Sequence, residues 1–318
     1  MSIDMPLEQA SLKQLQQTPI DNVLHIIDEG LVHLPTYREL YYRWERQQWK
    51  AQDIDFSEDR QQWAGMTEDE HMMRIYGLSA FFQGEACVTD TLAPYVLAMP
   101  EEEMRIFLTT QLVDEARHTV FFARFFNEVM GIETAMLEWQ LAFARQYMNE
   151  KLKYILIEAL SEVAERIRQD PANMAHLVEG FTLYHIVVEG TMALAGQRGI
   201  LEQYRQYNLF PAFRGGFTAV ARDESRHVVF GVKFLRDMIQ RDNSNAQVVH
   251  AAIEKYAPTA IEAISAAPEQ VQRMLANGLD PWITPRYAVE SLTKKLRVIG
   301  LSMQLNLPEV PPVPIWGE

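Results

Sequence analysis

One stretch of thirteen residues occurs twice in this chain. Asp114-Glu-Ala-Arg-His-Thr-Val-Phe-Phe-Ala-Arg-Phe-Phe126 aligns without gaps on Asp223-Glu-Ser-Arg-His-Val-Val-Phe-Gly-Val-Lys-Phe-Leu235, with seven identical positions. Each copy holds Glu-x-x-His (Glu115/His118 and Glu224/His227), followed by an apolar, largely aromatic stripe. Residues three apart share one face of a helix, so carboxylate and imidazole can point at one ion. Two helices built alike predict a bundle with approximate two-fold symmetry. A third copy, Glu68/His71, adjoins a capping-box glutamate in the first turn of a helix, where a solvated face is expected.

The rest of the chain reads as helix as well. Apolar residues recur every three or four positions, and alternating strands bounded by Asn-Gly turns are missing. Short helices are expected over 21–29 and 36–48, then a loop carrying Asp53-Ile-Asp-Phe56. Thr67, with Glu70 three residues on, forms a capping box that opens a helix running to about Ala98. Pro100 marks a turn, and a second long helix runs from the acidic Glu101-Glu-Glu103 to Gly131. Helices follow over 133–168, over 172–206 and, after Asn208-Leu-Phe-Pro211, to about 242. Two or three weaker helices fill 245–303, and the proline-rich tail from Pro308 to Glu318 reads as extended. The expected fold is therefore all-α and a single domain over 1–318. Its four-helix core spans about 67–242, with short helices before it and further helices after it packed on that core.

Counting along those helices turns the motif into a site. Glu115 lies 15 residues beyond Pro100, and Glu85 lies 15 before it. At 1.5 Å per residue both stand roughly 22 Å from the turn. In the second hairpin, Glu189 is 18 residues before Tyr207 and Glu224 is 17 after it. Glu85 and Glu189 each interrupt the apolar middle of a long helix, where burial is costly unless the group is paired or bound to metal. Four glutamates and two histidines match the ferritin-like dimetal carboxylate pattern. The competing reading is a set of buried salt bridges to Arg117 and Arg226. Carboxylates with only two imidazoles suit iron or manganese, and the absence of thiolates argues against structural zinc. Such a pair of redox ions points to oxidation with O2 rather than to hydrolysis.

Composition narrows the class further. A net charge of −14 argues against nucleic-acid binding. The single cysteine, Cys87, excludes an internal disulfide and suits a reducing cytosol. No apolar run reaches the ~18 residues of a membrane span, and no signal peptide is read at Met1. A cytoplasmic location is expected.

The residues also resemble a known family, the ribonucleotide reductase small subunit superfamily. Within it the chain is most similar to the ligand-binding oxidases that carry a mixed manganese/iron site and bind a long-chain fatty acid. Gly84-Glu85-x-x-Val88 resembles that family's first ligand and its cross-linking valine. Tyr184-His-Ile-Val-Val-Glu189 resembles the segment with a tyrosine five residues before the third carboxylate, and Asp223-Glu224-Ser-Arg-His227 the last ligand pair. Trp49, ahead of Asp53-Ile-Asp-Phe56, resembles the tryptophan of an electron-transfer chain. The resemblance covers roughly 45–240. The spacing from Glu85 to Glu115 is a few residues shorter than usual for the family, and His185 stands where another residue is usual.

The resemblance implies metal ligands Glu85, Glu115, His118, Glu189, Glu224 and His227, holding one manganese and one iron, or two irons. It implies a tyrosine–valine ether between Tyr184 and Val88, and electron entry through Trp49 and Asp223. It further implies a fatty-acid-like ligand, O2, an electron donor of unspecified kind and a homodimer. From spacing alone, Asp114 and Asp223 are each expected to accept a hydrogen bond from the opposite ligand histidine. His185 is expected as a satisfied interior histidine, Cys87 as a small core residue, and the phenylalanine stripe 121–126 as core that also suits an apolar tunnel. Three other functions compete. A radical-generating reductase subunit commonly has a tyrosine one turn after the first ligand histidine, where this chain has Phe122, and needs a tyrosine in a mobile tail, whereas the last here is Tyr287. The others are another dimetal oxygenase, such as an N-oxygenase or desaturase, and non-enzymatic metal storage.

Overall fold

The computed structural model describes residues 7–132, 136–276, 279–302 and 305–311. Among these there is no strand. The first core helix, Glu68–Thr91, opens on the expected capping box: the Thr67 side chain accepts from Glu70 N–H, and the Glu70 side chain from Thr67 N–H. It ends sooner than the sequence suggested. Pro94 lacks the N–H that a continuing helix needs, so the chain breaks at Leu92 and restarts as Ala93–Ala98. The second core helix, Glu102–Glu128, packs back along the first.

The long helix expected over 133–168 is two helices. Leu137–Arg145 ends in a turn, and Asn149 caps its successor by accepting from Leu152 N–H at 2.9 Å. Residues 133–135 lie outside the described part. A helix the sequence reading passed over, Ser57–Ala64, brings buried Asp59 to the start of the fourth core helix. Its carboxylate accepts from Ala212 N–H at 3.0 Å and Phe213 N–H at 2.7 Å, where Pro211 already supplies a donor-free first position. Burial pushes Asp59 up to about 6, although these two N–H groups draw it down.

The third core helix runs unbroken from Met174 to Gln206, but its middle, Thr182–Ala193, is wound as π-helix. It turns through Asn208 and Phe210, both with positive φ, into the fourth, Pro211–Arg241. That helix is the axis of the molecule: every residue from Ala212 to Val232 is buried. One continuous apolar cluster extends from Leu15 to Ile299, and the outer helices Ile20–Val32, Asn245–Ala263 and Ile283–Ile299 close over it. Among the described residues three helices follow residue 244, as expected, and Asn277-Gly278 between the last two lies outside the described part. Pro308–Pro311 has no regular structure, and the tail beyond it lies outside the described part.

Candidate metal centre

Helical period brings the six predicted side chains to one point. Glu85, Glu115, His118 and Glu224 present ligand atoms within 4.8 Å of one another, and so do Glu115, Glu189, Glu224 and His227. Glu115 and Glu224 belong to both groups, so the cluster has the form of two adjoining cation sites sharing two carboxylates. His118 Nδ1 lies 3.2 Å from Glu85, 3.3 Å from Glu115 and 3.4 Å from Glu224. His227 Nδ1 lies 3.3 Å from Glu115 and Glu224 and 3.5 Å from Glu189. All six are buried.

The far nitrogens are fixed by aspartates from the opposite copy of the repeat. His118 Nε2 donates to Asp223 at 3.3 Å, and His227 Nε2 to Asp114 at 3.1 Å. Each aspartate also accepts from an indole: Trp49 Nε1 donates to Asp223 at 2.7 Å, and Trp44 Nε1 to Asp114 at 3.0 Å. The result is two parallel Trp–Asp–His chains. Trp44 was missed from the sequence, although the repeat made Asp114 the equivalent of Asp223 and so called for a second donor.

Arg117 and Arg226 do not neutralise the glutamates. Arg226 Nη2 bridges Asp114 at 2.8 Å and Asp223 at 2.9 Å; Arg117 Nη1 reaches the same two at 3.0 and 3.3 Å. Burial raises the Asp223 carboxyl's pKa, but the Arg226 charge outweighs it and holds the group well below its usual range. Four glutamates therefore remain with two imidazoles. Burial pushes Glu85 up to about 8 despite the neighbouring His118, and burial with the Glu224 charge raises Glu189 strongly. Burial opposes charge on His118 and His227 as well, yet the carboxylates win and hold both rings well above their ordinary range. Glu189 Oε2 has no hydrogen-bond partner. A buried acceptor left bare, and four carboxylates whose charge two divalent cations would cancel, fit a pair of hard metal ions.

Tyr184 and Gln111 form the wall beside the cluster. The Tyr184 hydroxyl donates to Glu115 at 2.8 Å. Gln111, which the sequence reading did not single out, donates its amide to Tyr184 and to Glu189, both at 3.0 Å. His185 Nε2 faces the Gln111 amide oxygen at 3.1 Å and its ring stacks on Phe181, while its Nδ1 has no partner. His185 is thus an interior residue, as expected, with one nitrogen unsatisfied; burial, then the His227 charge, keeps it neutral. The π-winding explains how Tyr184 and Glu189 meet. Five residues of α-helix would set them about 140° apart, whereas i→i+5 winding stacks them on successive turns.

A cavity of about 630 Å³ opens from the cluster. Glu85, Val88, Tyr184 and Glu189 line its inner end, Leu152, Leu156 and Met192 its apolar flank, and Tyr76, Gln203 and Tyr207 its outer part. The phenylalanine stripe lies elsewhere. Phe121, Phe122, Phe125 and Phe126 are fully buried in a ring cluster with Phe82, Phe213 and Phe217, so they are core and not tunnel. Glu68 and His71 stand apart from the cluster: His71 stacks on Trp63 and its Nε2 meets the Trp63 carbonyl. Cys87 is half-buried and accepts from Gln83 at 3.2 Å.

A four-helix bundle with a buried carboxylate–histidine cluster on paired Glu-x-x-His motifs defines the class as ferritin-like. Residues 32–279 match the family model of the ribonucleotide reductase small chain, and the chain belongs to that family. Among solved structures, a variant of an R2-like ligand-binding oxidase with anaerobically reconstituted Mn/Fe cofactor superimposes with a TM-score of 0.72 at 25% identity, over 83% of this chain and 93% of that one. Another variant, with a non-activated Mn/Mn cofactor, matches with the same TM-score, identity and coverage.

Proposed function

We propose that this protein is an O2-dependent dimetal oxidase that holds one manganese and one iron and takes a long-chain, fatty-acid-like ligand. The observation that carries the reading is a cavity of about 630 Å³ ending on the six-residue cluster, with Tyr184 and Val88 in its wall. In this reading Glu85 and His118 serve one ion and Glu189 and His227 the other, while Glu115 and Glu224 serve both. A bound manganese/iron pair supplies two-electron exchange with O2. The chain's own residues do the rest. Asp223 and Asp114 hold the ring N–H of each histidine and leave Nδ1 free for metal. Glu115 and Gln111 fix the Tyr184 hydroxyl at the cavity wall. The apolar flank receives an alkyl chain, and the carboxylate end of the ligand faces the cluster.

The finer part of the proposal is an ether between the Tyr184 oxygen and the Val88 β-carbon. It forms with loss of one hydrogen from each residue, and O2 is the electron acceptor. Protein loaded with both metals without oxygen and then exposed to air should lose the mass of one hydrogen pair. Peptide mapping should join the Val88 and Tyr184 segments, and Tyr184→Phe should abolish the link. Separate peptides after full oxidation would refute it. A persistent tyrosyl radical signal in place of the link would favour the reductase-subunit function, which the family match also admits.

Electron entry is assigned to Trp49, whose ring lies 6.3 Å from that of His118 and whose N–H is bonded to Asp223. Trp49→Phe keeps an aromatic ring but removes the indole N–H donor. It should slow reduction of the oxidised centre by an external reductant and leave metal content unchanged; an unchanged reduction rate would contradict the route.

A further inference from the structure

A second cavity, of about 610 Å³, lies between the outer helices Ile20–Val32 and Ile283–Ile299 and the Leu194–Gln206 segment. Exposed His25 and Glu290 line its rim, so it reaches the surface, and Leu24, Ile27, Leu31 and Leu194 give it an apolar wall. Lys295 also lines it, although only 2% of the residue is exposed. Among the described residues, no carboxylate lies within ion-pair distance of this amine. Three of the four acids lining the cavity are engaged elsewhere, Asp28 with Lys294, Asp21 with Arg198 at 3.2 Å and Asp280 with Arg286, and the fourth, Glu290, stands exposed at the rim. Lys295 Nζ instead meets two uncharged acceptors, the Ser291 hydroxyl and, at 3.3 Å, the Ser291 carbonyl.

Two acceptors match the two hydrogens of a neutral amine and leave its lone pair unused. An ammonium ion there would be a buried charge with no carboxylate in contact, which is unfavourable. Ser291 in turn donates to the Gly190 carbonyl at 3.0 Å, which fixes the amine's position. A Cβ at Gly190 would lie 2.8 Å from Lys295 Cε, so the glycine makes room for this side chain.

We propose that Lys295 is a carbonyl-reactive amine and that the second cavity takes a short aliphatic aldehyde, bound as a reversible imine. The amine lone pair attacks the carbonyl carbon to form a carbinolamine. Its hydroxyl then leaves as water with a proton from nitrogen, and a C=N bond replaces C=O. No electrons are transferred, so no oxidant is needed. The proposal is independent of the metal centre's function. Burial, aided by the Lys294 charge and opposed by that of Asp28, supports it further by pushing the amine down to about 7. At pH 7 about half of such an amine is neutral, against well under about 0.1% of an ordinary lysine.

The test is reductive trapping on the full-length, metal-loaded protein. Butanal with cyanoborohydride at pH 7, followed by peptide mapping, compares Lys295 with the exposed Lys13 and Lys50. Lower basicity also lowers nucleophilicity, so the expected advantage of Lys295 is at least about tenfold in rate. Labelling of Lys295 at the rate of the exposed lysines or slower, or none at all, would overturn the assignment.

Discussion

Glu189→Leu is expected to raise the melting temperature of the metal-free protein while removing metal from the His227 half of the centre. The two effects have one cause. Glu189 is buried, one of its oxygens has no partner, and the Glu224 charge beside it disfavours its own ionisation. Without metal the group is a liability that an apolar side chain removes. In the proposed centre it is a ligand, and no carboxylate beyond Glu115 and Glu224 joins it in the His227 group. Glu115→Ala and Glu224→Ala go further, because each carboxylate belongs to both ligand groups. Both should lower affinity for the ion pair by more than about 100-fold, since loss of an outer hydrogen-bond partner alone is worth roughly 10–100-fold. Asp223→Ala, which removes only such a partner, should fall in that smaller range. Metal analysis after dialysis, with thermal melts of the metal-free variants, checks the set. Retention of two ions per chain by either alanine variant would contradict the ligand assignment.

Arg226→Met should destabilise the protein by about 3–5 kcal/mol, the cost of stranding buried charge. Arg226 is enclosed between Asp114 and Asp223, and its Nη1 is bonded to Gln47. Its loss leaves the two buried aspartates to Arg117, the more exposed of the two arginines, and to the imidazoles of His118 and His227. Arg226→Lys keeps the charge but loses the planar guanidinium that holds both carboxylates through Nη2 and Gln47 through Nη1, and should cost less. Urea unfolding of the metal-free variants measures both. A loss below about 1 kcal/mol for the methionine variant would mean that Arg117 and the two imidazoles suffice to hold the aspartates.

The cluster was legible in the sequence because helix geometry converts spacing into direction and height. Two Glu-x-x-His pairs and two apolar-flanked glutamates, counted from two turns, were enough to find six converging side chains. Four features were hidden for different reasons. The break at Leu92 follows from Pro94, a local signal that the strong periodicity around it outweighed. The π-winding over Thr182–Ala193 coincides with close packing against the fourth core helix, which no local spacing records. Gly231 illustrates this: it occupies the place of Phe122 in the repeat, and a Cβ there would lie 2.2 Å from that of His185. The repeat is broken where one half must admit His185. The roles of Gln111 and Trp44 depend on contacts across 73 and 70 residues of sequence, which no motif spans. Each arginine pairs with the aspartate three residues before it, which spacing alone allows, and also with the aspartate of the other repeat; only that second contact, across 106 and 112 residues, is non-local.

Anomalous diffraction at the manganese and iron edges, on one crystal of protein loaded with both metals, locates each ion. Two peaks are expected within the cluster: one beside Glu85 and His118, the other beside Glu189 and His227, with Glu115 and Glu224 touching both. Metal–ligand distances should be about 2.0–2.3 Å. A single peak, or two peaks away from these six side chains, would contradict the dimetal centre.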